Sequence, residues 1–162
     1  MGYWRKFLVA GVGALSLAGM GTLSAAAEPR DRLIEFASMT PIGTGAPAAR
    51  DLAGGGLPWM ITSGTGTVDR QGDVHVVVRG LVLAAGANAG KDPLPLAAAV
   101  SCLTPSGPMH AVTPSFAATI TGDANIDATV NLPRPCKSPE VFVGAFVGGE
   151  FRWFAVSDAV ED

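Results

Sequence analysis

The chain has 162 residues, 48% of them hydrophobic and 15% charged, with a formal net charge of −3 at pH 7. This composition excludes a disordered chain, which pairs low hydrophobicity with high charge. The acidic balance argues against nucleic acid, whose binders present a basic face, and the length suits one domain with a real core.

Residues 1–27 read as a secretory signal peptide. Arg5 and Lys6 form a positive n-region, FLVAGVGALSLAGMG over 7–21 is an uncharged h-region, and Ala25, Ala26 and Ala27 supply a small-residue cleavage site before Glu28. A retained membrane anchor is the weaker reading, because the apolar stretch is short and ends in small residues. Beyond it, no run approaches the roughly 18 uncharged apolar residues of a membrane span. The C-terminal SDAVED carries no apolar tail. The expectation is a secreted protein, extracellular or periplasmic, with no stable membrane anchor after processing. Cleavage removes two basic residues and takes the net charge from −3 to −5.

Both cysteines, Cys102 and Cys136, survive processing. An even pair in an oxidising compartment reads as a disulfide. Residues 28–56 are rich in Ala, Gly, Pro and Thr and read as an N-terminal arm. Within it, Asp31 to Met39 has helical spacing, with Leu33, Ile34 and Phe36 set among charges. Nine residues make only a marginal helix. The expectation is a short docked segment joined to the domain by a mobile stretch around 43–56.

From residue 57 to 157 the pattern has period two with frequent turn residues, which is the strand signal. Strands are expected over 59–68, 73–83, 96–103, 109–113, 115–121, 125–132, 140–147 and 150–156, followed by an acidic tail, 158–162. Leu81, Val82 and Leu83 are apolar on both faces and predict a central position. Pro114 predicts an edge or a bulge, and Gly148-Gly149 a tight hairpin. Seven to nine such strands without a long helix predict an all-β fold, an antiparallel immunoglobulin-like sandwich, with a small β-barrel as the alternative.

The stretches GGGLPWMI (54–61), VVVRGLVLAAG (78–86), VSCL (100–103), LPRPC (132–136) and EVFVGAF (140–146) resemble a family of small exported bacterial proteins. Its members share the order of signal peptide, Gly-rich arm and two-cysteine sandwich-like domain. The resemblance covers roughly 39–156. It implies architecture and localisation; the family has no established biochemical activity.

Several residue sets suggest chemistry and are weak on spacing. His75, Cys102, Met109 and His110 are the ligand types of a mononuclear copper site. Here Met109 precedes the second histidine, and Cys102 has Cys136 as a partner. Asp123, Asn125 and Asp127 form a D-x-N-x-D string, yet Ala128 and Arg134 stand where a calcium loop needs Gly and Glu. Neither a G-x-S-x-G elbow nor an H-E-x-x-H, P-loop or G-x-G-x-x-G motif is present. No catalytic residue and no cofactor are assigned. A small exported enzyme, metal-dependent (copper or calcium) or hydrolytic, is the alternative to a non-catalytic recognition or surface-structural protein. The late aromatics Phe142, Phe146, Phe151, Trp153 and Phe154 gather on one hairpin. They form either core or a patch for a glycan, a lipid or another protein, with Trp59 and Trp153 as large core members.

Overall fold

The computed structural model describes residues 31–45, 47–91 and 94–158; the expected signal peptide and most of the acidic tail lie outside them. No α-helix occurs among the described residues, and eleven antiparallel strands build the fold. Two sheets pack face to face without closing into a barrel, so the protein is an antiparallel β-sandwich.

The four-stranded sheet has the order β1 (Arg32–Phe36), β4 (Ser63–Asp69), β5 (Asp73–Arg79), β9 (Ala124–Thr129). Alternation along β5 sends Val74, Val76 and Val78 into the core, while His75 and Arg79 face water. Val68 and Ile126 join them from the flanking strands. On β4 the inward positions are Gly64 and Gly66, and a side chain at either would collide with Met39 or Phe36. Those glycines are the slots into which the N-terminal segment packs.

The five-stranded sheet has the order β2 (Met39–Pro41), β11 (Glu150–Ser157), β10 (Lys137–Val147), β7 (Ala97–Thr104), β8 (Gly107–Val112). β7 is buried on both faces from Ala97 to Cys102. β8 is an edge strand, with Pro108 inside it and Pro114 just beyond, and prolines remove ladder donors. The disulfide Cys102–Cys136 ties β7 to the connection between β9 and β10. At the far edge, β2 pairs with β11, and Thr40 donates a hydrogen bond to Asp158 at 2.5 Å.

Four sequence expectations are corrected here. Asp31 to Met39 is not a helix: Arg32–Phe36 pairs antiparallel with β4, and Met39–Pro41 pairs with β11. A five-residue apolar and charged mixture fits either period, and pairing with an open sheet edge decides it. The sandwich therefore begins before Leu57, within the expected arm. Phe36, Met39, Ile42 and Leu52 belong to the core, and 53–55 hydrogen-bonds to Trp153. Val82–Leu83 is β6, which pairs only with β3 (Trp59–Met60), so this stretch is buried without being central. Residues 115–121 form a loop with one bridge, Leu96 to Phe116, because Thr119 instead closes a turn around Gly122.

Candidate functional site

β10 and β11 are longer than the strands beside them. β7 accompanies β10 only up to Gly144, and β2 accompanies β11 only from Ala155. The hairpin end, residues 145–152, continues alone, closed by Gly148 and Gly149 at φ 62° and 86°. These angles suit the two-residue turn whose twist matches its strands. Phe146 and Phe151 face each other across this end, edge to face at 5.9 Å between centroids. Phe146 is 43% exposed and Val147 47%. The pair Arg152–Glu150 is the charged element beside them.

The five late aromatics thus divide. Phe142, Trp153 and Phe154 are buried, while Phe146 and Phe151 stand at the projecting tip. The division follows from a bulge. Val143 pairs with Ala155 and Gly144 with Trp153, leaving Phe154 as the extra residue. Trp153 therefore shares a face with Phe142, edge to face at 5.5 Å, while Phe154 stacks on Trp59 at 3.8 Å.

A second polar locus lies on the same face as Phe142. Register sets Ser101 of β7 directly beside Glu140 of β10 and His110 of β8, and directly opposed residues share a face. The turn Ala49–Leu52 covers them. Arg50 Nε meets Glu140 Oε2 at 2.8 Å, and the Leu52 carbonyl accepts from Trp153 Nε1 at 3.2 Å. Burial lowers the His110 pKa from its usual value; a hydrogen bond with the Arg50 backbone and the Asp51 carboxylate oppose the shift, and the Arg50 charge adds to it. Nothing in the sequence singles out these four residues together. The one hint is a lone Ser in the apolar run LAAAVSCL.

The suggested ligand sets do not assemble. Cys102 is bonded to Cys136, so it is not a thiolate ligand. His75 and His110 stand on strands of different sheets. His75 instead pairs with Asp127 across β5 and β9, on the wall of an open polar depression of about 400 Å³. Asp123 accepts from the Gly80 amide at 2.9 Å, and Asn125 accepts from Arg79 at 3.0 Å. The string is thus spent on holding β5 to β9, and although Asn125 and Asp127 share the exposed face of β9, an extended strand sets such residues about 7 Å apart instead of folding them around a point. Among the described residues no group of three or more His, Cys, Asp or Glu side chains is placed to hold a metal ion.

Compared with protein-family models, curated proteins and solved structures, the chain matches none.

Proposed function

We propose that this is an exported, non-catalytic β-sandwich that serves recognition, with the end of the β10–β11 hairpin as its contact surface. The observation carrying this reading is the unaccompanied tip with Phe146 and Val147 open to water beside Phe151. Aromatic side chains supply large contact area at low entropic cost, and apolar groups clustered on a projection favour a partner that covers them. Export is supported by the pattern of residues 1–27, by the cysteine pair held as a disulfide and by the resemblance to small exported bacterial proteins.

A photo-crosslinking residue at Val147, with Ile120 as the control position, tests the tip. Ile120 is 63% exposed and belongs to the 115–121 loop, not to the hairpin. The expected result is a discrete adduct from Val147 alone when the protein is illuminated where it is produced. Equal labelling from both positions would sink the reading. Processing is tested separately: intact mass of the released protein should place its N-terminus at Glu28, and a retained 1–27 segment would contradict export by signal cleavage.

A further inference from the structure

The two large sheets have four edges, and three of them are blunted. β8 carries Pro108, β2 is three residues long and ends at Pro41, and β1 has a register shift between Arg32 and Ile34. Prolines, short strands and bulges keep a sheet edge from accepting another strand. β9 has none of these. Its residues pair in unbroken register with Asp73–Val78 of β5, and among the described residues no strand pairs with its other side.

The ends of this ladder show which backbone groups face outward. The Leu81 amide donates to the Gly122 carbonyl, and the Val130 amide to the Gly72 carbonyl. Successive residues of a strand turn their amide and carbonyl to alternate sides, so the even-numbered positions from 122 to 130 face β5. The odd ones, Asp123, Asn125, Asp127 and Thr129, face away from it. At Asp123 the chain supplies the missing neighbour. Thr119 Oγ1 accepts from the Asp123 amide at 3.0 Å, and the Thr119 amide donates to the Asp123 carbonyl at 2.9 Å. The cover stops there: among the described residues nothing bonds to the outward amides and carbonyls of Asn125, Asp127 and Thr129. Their side chains do not screen the edge either. Asn125 Oδ1 accepts from Arg79, Asp127 Oδ1 pairs with His75 and Thr129 Oγ1 donates to Asp73, all on β5.

We propose that the outer edge of β9, from Asn125 to Thr129, is a docking edge for an extended segment of a partner protein that carries a lysine or arginine opposite Asp127. A strand laid there meets three amides and three carbonyls already aligned for it, which is recognition by strand addition. The charge requirement comes from Asp127. Its side chain is 62% exposed, and the pair with His75 uses Oδ1, leaving Oδ2 for the residue opposite. Directly opposed side chains on neighbouring strands attract when their charges differ and repel when they match. A second copy of this chain fits worse, because the one register in which two β9 edges use all three positions sets Asp127 against Asp127. The edge belongs to the four-stranded sheet and the hairpin tip to the other, so the two surfaces stand or fall separately.

Amide hydrogen exchange on the folded, oxidised protein with a defined probe tests this. The probe is a short soluble peptide of alternating threonine and valine with one central lysine. One twin carries glutamate at the centre, and another is N-methylated at the lysine and at every second residue from it. Without peptide, the Asn125, Asp127 and Thr129 amides should exchange unprotected, while Ile126, which faces β5, is protected. Saturating lysine peptide should slow the three by about tenfold or more and leave Val143 unchanged. It should bind about fivefold more tightly than the glutamate twin, and Asp127→Asn should erase that difference while keeping the protection. Asp127→Pro removes the central outward donor, at an edge position where proline is tolerated, and should lose binding. Should that variant not fold, the N-methylated twin supplies the same comparison. Protection of the three amides in the free monomer, equal affinity for the lysine and glutamate peptides, binding that survives N-methylation, or no protection at millimolar lysine peptide would each overturn the proposal. So would a dimer in sedimentation that protects the same amides.

Discussion

Replacing Cys102 or Cys136 by serine is expected to lower unfolding free energy by about 2–5 kcal/mol, the usual range for small secreted domains. The bridge spans 34 positions, and closing a loop of that length removes about 4 kcal/mol of denatured-state entropy in the chain-entropy model. It also joins β7, the most deeply buried strand, to the connection that carries the chain from one sheet to the other. The loss should appear as a lower urea midpoint in both single variants and in the double variant alike. The native oxidised protein should give no thiol signal with Ellman's reagent. Two titratable thiols in the folded wild type would refute the bridge.

Gly144→Ala should cost about 3 kcal/mol or more, the upper end of what overpacking costs in a closed site. A Cβ at this position meets the Arg152 carbonyl and the Trp153 Cα, which are backbone atoms with no rotamer to yield. The clash falls where β11 carries its extra residue, Phe154, so relief would disturb the bulge that sorts Trp153 from Phe154. Gly43→Ala is the control, because nothing lies within 4 Å of its Cβ and its φ is not left-handed. Denaturation curves for the two variants should separate clearly. Equal midpoints would mean that the bulge is not a fixed feature of the hairpin.

The sandwich was readable from the sequence wherever alternation was strong and bounded by turn residues. Val74, Val76 and Val78 against His75 and Arg79 define β5, and Gly148-Gly149 defines the hairpin turn. The N-terminal strand was not readable, because Leu33, Ile34 and Phe36 satisfy a helical stripe as well as a strand. Only the slots at Gly64 and Gly66, some thirty residues on in the chain, settle the choice. The tip shows the same limit. Sequence placed the aromatics on one hairpin, but which of them reach water depends on where β7 ends and where the bulge falls. The Arg50, Ser101, His110 and Glu140 cluster lies beyond sequence reading altogether, since four separate segments meet there through strand register and a loop excursion.

The pairing of β2 with β11 has a consequence for how the molecule comes into being. Thr40 and Asp158 bond across 118 positions of chain, so the second strand made waits for the last one. Until that strand arrives, Met39 and Ile42 have no neighbour at the sheet edge, and the hydrophobic layer stays open on that side. Closing nearly the whole chain into one loop costs entropy before any of those contacts return free energy, which makes such topologies slow to assemble. Completion is therefore a late, whole-chain event rather than something a nascent N-terminal half can accomplish.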